Sequence, residues 1–86
     1  MPRVFTSTKF QKHFKNQTAA IKETAKEQEK IFLKDPYDSR LGTHKLKGKN
    51  REHWAYWVTR EIRIKFFFVT PDIVMYVDVG THDEVY

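Results

Sequence analysis

The sequence predicts an α+β fold with two N-terminal helices packed on a three- to four-stranded antiparallel sheet. The first half of the chain repeats its apolar residues at the spacing of a helix, whereas the second half alternates apolar and polar residues as strands do. Short turns separate the later segments, and such turns favour antiparallel pairing. At 86 residues, the whole chain (1–86) is expected to form one domain around one core.

Two helices are predicted in the first half, after a possible strand at Arg3 to Thr6. The first begins with Ser7 or Thr8 as its cap and runs to about Lys15. The second runs from about Thr18 to Leu33, and a proline shortly afterwards prevents its continuation. The stripe of the second helix that is expected to face the core consists of Ile21, Ala25, Gln28 and Phe32.

Four strands are predicted in the second half. They are His44 to Lys47, His53 to Val58, Ile62 to Val69 and Ile73 to Val79. The third alternates most clearly, with isoleucine and phenylalanine on one face and Arg63 and Lys65 on the other. Its apolar face is expected to lie on the helices, which leaves the opposite face of the sheet basic. This basic pattern is expected to continue through Lys45, Lys47, Lys49 and Arg51.

Composition excludes several classes of protein. The chain has no cysteine, so it contains neither a disulfide framework nor a cysteine-based zinc site. Its N-terminus lacks the apolar segment of a signal peptide, and no apolar run reaches membrane-spanning length, which predicts a cytoplasmic protein without a membrane partner. The net charge of +5 and the pI near 9.6 indicate a polyanion or an acidic protein as partner.

Aromatic and histidine side chains are the remaining candidates for chemistry. Trp54, Tyr56 and Trp57 could stack on unpaired bases, although three aromatic residues so close together favour a core role for most of them. His44 and His82 lie at the ends of predicted elements, where an imidazole is exposed while the fold holds it in place. No spacing typical of metal ligands occurs, so neither a metal nor another cofactor is expected.

Four blocks of the sequence, in this order and spacing, resemble the RelE/ParE superfamily and within it the YafQ-like branch. The blocks are Leu33-Lys34-Asp35-Pro36, His44-Lys45-Leu46-Lys47-Gly48, Ile62-Arg63-Ile64-Lys65-Phe66 and Val79-Gly80-Thr81-His82-Asp83-Glu84-Val85-Tyr86. The resemblance covers nearly the whole chain and implies the same small α+β fold. Nuclease members of this family cleave mRNA without a metal, usually in the ribosomal A site. The resemblance therefore implies an mRNA interferase, the endoribonuclease toxin of a type II toxin–antitoxin system.

The resemblance also implies roles for individual residues. His44 and His82 fall on two histidines of the YafQ-like blocks, and Arg63 falls on an arginine that binds phosphate in relatives. Glu61 lies near the position of an acidic residue, and Tyr86 resembles a terminal aromatic residue that stacks on a base. The resulting hypothesis makes His82 the general acid and either His44 or Glu61 the general base, with Arg63 stabilising the transition-state charge. RNA contacts are expected from Lys45, Lys47, Lys49, Arg51, Lys65 and Tyr86.

Two other functions remain open at this point. A ParE-like protein of the same fold inhibits DNA gyrase without RNase activity, and a non-catalytic RNA-binding module would use the basic face alone. His44 and His82 favour the nuclease, because ParE-like proteins generally lack them. Trp57 stands where YafQ-like toxins carry a further histidine, so the division of acid and base roles also stays open. The partners implied are a cognate antitoxin, often acidic, together with mRNA and the ribosome.

Overall fold

Five strands and three helices make up the described part of the chain, which is residues 2–48 and 52–86 of a computed structural model. In chain order they are β1 (Arg3–Thr6), α1 (Thr8–Lys15), α2 (Ala19–Lys34), β2 (His44–Lys45), β3 (Trp54–Trp57), β4 (Ile62–Thr70), β5 (Ile73–Thr81) and α3 (His82–Val85). A 3-10 turn at Ser39–Leu41 links α2 to β2. None of the helices in these ranges is long and apolar enough to cross a membrane. The predicted RNA-binding residues Lys49 and Arg51 lie outside the described residues.

The strands form one mixed sheet in the order β1-β5-β4-β3-β2. Each of the strands β2, β3 and β4 pairs in antiparallel fashion with the next strand in the chain, as predicted. β1 pairs in parallel with β5. The prediction of three to four antiparallel strands is therefore corrected to five strands, of which the first is parallel to its neighbour. Turn residues between two strands predict an antiparallel hairpin from the sequence. A parallel pair is joined by a long connection, which contains no residue pattern that identifies the two partners.

Both long helices begin where the sequence predicts. Ser7 caps α1 by accepting a hydrogen bond from the backbone N–H of Phe10 at 3.0 Å, and Thr18 caps α2 by accepting one from Ile21 at 3.2 Å. The Ser7 hydroxyl also donates to the backbone carbonyl of Val77 at 2.7 Å. This second bond fixes the start of α1 on β5, so α1 lies beside the part of β5 that β1 does not cover.

The core lies between the helices and one face of the sheet, with Phe32 of α2 at its centre. The Phe32 ring is fully buried and packs on the rings of Tyr56, Phe66 and Tyr76, at centroid distances of 4.8, 5.0 and 6.0 Å. Aromatic pairs at such distances contribute about 0.5–1.5 kcal/mol each beyond the burial itself. Ala25 is buried beside Phe32, which confirms the predicted core-facing stripe of α2. Tyr56 is thus a core residue and not a platform for bases.

A buried hydrogen bond joins the hydroxyl groups of Tyr56 and Tyr76 at 2.8 Å in this core. Burial raises the pKa of both phenols, so both stay protonated. Tyr56→Phe is expected to lower the free energy of unfolding by about 1–3 kcal/mol, because it leaves the buried Tyr76 hydroxyl without its partner. Urea unfolding of both single phenylalanine variants and of the double variant measures the effect. The double variant should lose less than the sum of the single losses, and strict additivity would contradict a shared bond.

Candidate active site

Two rows of residues cross the sheet on the face opposite the Phe32 core. Cα partners in register share a face, and the first row is His44, Ala55, Lys65 and Asp78. The second row is Trp57, Arg63 and Gly80. We call this surface the open face. Arg63 and Lys65 lie on it as their alternation with the buried Ile64 and Phe66 predicts.

The basic row predicted from Lys45 and Lys47 does not form on the open face. Lys45 is the register partner of Trp54, and Trp54 packs against the core, so Lys45 leaves the sheet on the other side from His44. β2 is also only two residues long, and Lys47 follows it as an exposed residue outside the strand. The predicted strand to Lys47 is therefore corrected, because a short edge strand carries the alternation no further than Lys45.

Tyr86 brings together three of the predicted site residues at one end of the open face. Its hydroxyl lies 2.9 Å from Nε2 of His44 and 3.2 Å from a guanidinium nitrogen of Arg63. Its ring lies 4.3 Å from the ring of His82, centroid to centroid, and the Arg63 guanidinium carbon is 5.5 Å from the same centroid. We call His44, Arg63, His82 and Tyr86 the Tyr86 cluster.

The hydrogen bonds of this cluster have a defined direction. Nδ1 of His44 lies 3.0 Å from the carbonyl oxygen of Gly42, and a carbonyl only accepts, so Nδ1 carries the hydrogen. In the neutral imidazole Nε2 is then the acceptor, and the Tyr86 hydroxyl donates to it. The hydroxyl in turn accepts from Arg63, which can only donate. His44 therefore presents its basic nitrogen towards the open face.

A close contact between Gly42 and Trp57 sets the position of His44. Gly42 ends the 3-10 turn with a positive φ of 57°, a conformation that favours glycine. A Cβ atom at Gly42 would lie 2.6 Å from the Trp57 ring, so only a glycine lets the turn approach this side chain. Trp57 thus supports the backbone that holds His44, which the sequence alone does not reveal.

The one-turn helix α3 positions His82 and Tyr86, where the sequence predicts only a tail. Thr81 caps the helix, and its backbone N–H donates to a carboxylate oxygen of Glu84 at 2.7 Å. His82 and Tyr86 stand four residues apart, the spacing at which side chains meet on one side of a helix. A Cβ at Gly80 would lie 2.8 Å from a carboxylate oxygen of Glu84, so a larger residue there would displace the Glu84 side chain from its place in the cap.

Arg63 is held on the open face by groups on either side of it. One terminal nitrogen donates to Tyr86, and the other donates to the carbonyl oxygen of Arg60 at 3.3 Å. Its buried Nε has no hydrogen-bond acceptor within the described ranges. Glu61 lies in the exposed turn before β4, where its backbone N–H bonds the Thr59 hydroxyl. The described contacts of Glu61 stay within this turn, so the structure does not bring it to the Tyr86 cluster.

A second group of charged residues on the open face escapes the sequence analysis altogether. Asp78 is only 2% exposed, and one of its oxygens lies 2.6 Å from Nδ1 of His13. The other oxygen lies 3.5 Å from Nζ of Lys9. Lys65 is the register partner of Asp78, and burial, with a smaller effect from Lys9, lowers the pKa of Lys65. One signal was available in the sequence, since Asp78 interrupts an otherwise apolar strand.

Over residues 2–48 and 52–86, no three His, Asp or Glu side chains come close enough together to hold an ion. The Tyr86 cluster itself offers two imidazoles and a phenol, with both ring nitrogens of His44 already engaged. Imidazoles are suited to proton transfer, and the Arg63 guanidinium is suited to binding an anion.

Solved structures of bacterial toxins share this architecture. YafQ from E. coli strain BL21(DE3) aligns with a TM-score of 0.81 at 13% sequence identity, over 100% of this chain and 99% of that one. The chain has the YafQ fold. A YoeB/ParE toxin from Agrobacterium tumefaciens aligns at 0.77 and 13% identity, over 93% and 98% of the two chains. A chain of the E. coli DinJ-YafQ toxin-antitoxin complex aligns at 0.76 and 13% identity, over 99% and 97%.

Comparisons of sequence give no further match. No family model matches the chain, and no curated protein matches it either. The predicted resemblance to the RelE/ParE superfamily and its YafQ-like branch is confirmed by the structural neighbours at the level of the fold. At identities of 13% the likeness is one of architecture, and activity has to be argued from the site.

The cap of α3 is expected to make the Tyr86 cluster sensitive to acid. The hydrogen bond from Thr81 lowers the pKa of Glu84 below its ordinary value of 4.5. Because the folded-state pKa lies below the unfolded one, the stabilisation is complete above pH 4.5 and is lost as the pH falls through the folded-state pKa. Amide hydrogen exchange at Tyr86 should therefore accelerate as the pH falls below 4.5, beyond its intrinsic pH dependence. Glu84→Gln keeps an acceptor for Thr81 but does not titrate, so an equal acceleration in that variant would rule out Glu84 as the cause.

Proposed function

We propose that the chain is the toxin of a type II toxin–antitoxin pair and an endoribonuclease that cleaves mRNA without a metal. The observation that carries the proposal is the Tyr86 cluster, which joins two histidines and an arginine on the open face of a fold shared with YafQ. These are the residue types that metal-free RNA cleavage needs: a base, an acid and a cation for the phosphate. The chain would act as one domain, in the cytoplasm.

His44 is the proposed general base. Its Nε2 points to the open face and accepts from the Tyr86 hydroxyl at 2.9 Å. In the substrate complex the ribose 2′-hydroxyl takes the place of this phenol and gives its proton to Nε2 as its oxygen attacks phosphorus. The bond from Nδ1 to Gly42 fixes the ring and its tautomer for this role. Glu61, the other candidate base, has no described contact with the cluster, and this favours His44.

His82 is the proposed general acid. It is the first residue of α3, its side chain is 59% exposed, and its ring leans on Tyr86. A protonated imidazole there would give its proton to the 5′-oxygen as the phosphorus–oxygen bond breaks. The products would be a 2′,3′-cyclic phosphate and a new 5′-hydroxyl end, so that protons and bonds balance without a metal. Tyr86 would offer its ring to a neighbouring base.

Arg63 is the proposed binding group for the phosphate that is cleaved. Its guanidinium contacts both the hydroxyl and the ring of Tyr86, and Tyr86 in turn contacts His44 and His82. An arginine binds two phosphate oxygens at once and stabilises the negative charge that grows in the transition state. Lys65 lies two residues along the same face of β4 and would bind the RNA backbone, together with Lys47.

A cognate antitoxin is the proposed protein partner, with mRNA and the ribosome as targets. One E. coli structure that shares the fold is that of a DinJ-YafQ toxin-antitoxin complex. A net charge of +5 suits both an acidic antitoxin segment and RNA. An antitoxin that covers the open face would block the Tyr86 cluster.

His82→Ala is expected to lower the cleavage rate roughly 10²–10⁴-fold, because the general acid is lost. Primer extension on a translated mRNA after induced expression in a bacterium measures the cuts in wild type and variant. A circular dichroism melt of the variant controls for folding, and cleavage of a free RNA oligonucleotide by the purified wild type in excess chelator tests independence from metal. Undiminished cutting by His82→Ala would refute its role as the acid.

Two substitutions at Tyr86 separate its ring from its hydroxyl. Tyr86→Phe keeps the ring and frees His44 and Arg63, so cleavage should stay within a few-fold of wild type. Tyr86→Ala removes the stacking surface and should weaken RNA binding by about 1–3 kcal/mol. Affinity for a single-stranded oligonucleotide and cleavage rate are measured for both variants. Equal losses in the two would show that the hydroxyl, and not the ring, carries the function.

Gyrase inhibition is the second candidate, since one structure that shares the fold is that of a YoeB/ParE toxin. It predicts a DNA-damage response and growth arrest with intact mRNA when the chain is expressed. A non-catalytic RNA-binding module predicts instead that RNA binding survives His82→Ala and that no cleavage product forms. The same induced-expression experiment therefore separates the three functions.

A further inference from the structure

Asp78 is the buried charged residue of the described chain, and its burial calls for compensation. Its partners include a backbone N–H and two side chains of α1, and the positive charge of Lys65 lies across the ladder. The backbone N–H of Val79 donates to one carboxylate oxygen at 2.8 Å, and Nδ1 of His13 lies 2.6 Å from the same oxygen. Lys9 lies 3.5 Å from the other oxygen. The carboxylate is thus enclosed by its own partners, and little of its surface faces an incoming ligand.

The partners of Asp78 remain accessible on their outer sides. The His13 side chain is 42% exposed and that of Lys9 is 63% exposed. Because Nδ1 of His13 donates to the carboxylate, Nε2 is the ring atom left to meet solvent. A buried carboxylate that fixes an exposed imidazole is the arrangement by which proteins aim a histidine at a ligand.

This group continues the open face beyond the Tyr86 cluster. Gly80 is the register partner of Arg63, and Asp78 is the partner of Lys65, two residues further along both strands. Two residues of a strand span about 7 Å. That step is comparable to the separation of successive phosphates in an extended single strand. A cavity of about 260 Å³ adjoins the group at His13 and is further lined by Val79, Glu84, Asn16 and Gln17, and the side-chain amides of the last two can donate to a base or a ribose.

We propose that Lys9, His13 and Lys65 form a second phosphate-binding subsite, which takes the RNA backbone phosphate next to the one that is cleaved. Asp78 is the positioning residue, because it holds His13 and Lys9 towards the open face. The inference rests on the proposed function and extends the RNA path from the sheet onto α1. The chemistry of the ligand is that of a phosphodiester with an adjoining nucleoside, which both the cationic groups and the cavity suit.

The competing explanation is that His13 and Lys9 serve only to anchor α1 to the sheet. His13→Asn separates the anchoring explanation from the proposal. The asparagine amide can still donate to Asp78, but it has no counterpart of the imidazole Nε2 that would bind phosphate. Under the anchoring explanation this variant behaves like wild type in every assay. Under the proposal its melting temperature stays near that of wild type while RNA binding weakens. Lys12→Ala serves as the matched control, since it removes one exposed lysine from the same helix.

The experiment measures binding of two single-stranded RNA probes in the His82→Ala background, a dinucleotide with one internal phosphate and a hexanucleotide with several. His13→Asn and Lys9→Ala should each weaken hexanucleotide binding roughly five- to tenfold and leave dinucleotide binding unchanged. Lys9→Ala should also make the slope of log affinity against log salt shallower by about 0.7, the value for one lost contact to a single strand. Lys12→Ala should change neither quantity.

Parallel cleavage assays on a translated mRNA, with the variants made in the chain that keeps His82, distinguish failure of this proposal from failure of the proposed function. Cleavage by wild type, with equal hexanucleotide affinity in His13→Asn and its parent, would overturn the subsite alone. Hexanucleotide binding that depends on His13, without any cleavage by wild type, would support the subsite and overturn the nuclease. Equal weakening on both probes would also overturn the subsite, because the effect would then lie at the cleaved phosphate.

Discussion

The contacts of the Tyr86 side chain, made by its ring as well as its hydroxyl, are the interactions on which the arrangement of the free site depends. Tyr86 joins residues that lie 42 and 23 positions away in the sequence, one on an edge strand and one on a central strand. It also carries His82 with it, because His82 is the first residue of α3 and Tyr86 directly follows that helix, four positions later. The ring and the hydroxyl of Tyr86 thus bring residues of β2, β4 and α3 into one site. The packing around Phe32 holds the sheet beneath this site.

Local sequence patterns are sufficient to predict where the helices begin and which side chains of β4 share a face. Capping hydroxyls mark the start of both long helices, and the alternation in β4 places Arg63 and Lys65 on one face. His44 and His82 could be singled out as exposed residues at the ends of elements. Their proximity could not, because it depends on Tyr86, and the sequence contains no measure of how α3 folds back on the sheet.

The features that the sequence does not predict depend on pairing between distant segments. β1 pairs with β5 in parallel, and no turn connects the two. Lys45 faces away from His44 because β2 is a short edge strand, so the expected row of lysines is interrupted. His13 stands among lysines and resembles an ordinary surface residue until Asp78 is found beside it. The burial of a carboxylate is a tertiary property that composition does not reveal.

One irregularity of the β4–β5 ladder decides which side of the sheet carries chemistry. Phe66 is paired with Tyr76, but Lys65 is paired with Asp78, so Val77 is an extra residue in β5. Regular alternation would send Asp78 to the same side as Tyr76, into the hydrocarbon interior. The single inserted residue exchanges the two sides of the sheet to which the following residues of β5 point, including Gly80, just before α3 begins. If the same side chains were placed on a regular hairpin without the bulge, Asp78 and the open-face residues that follow it would point into the core. The backbone irregularity therefore determines where these side chains lie.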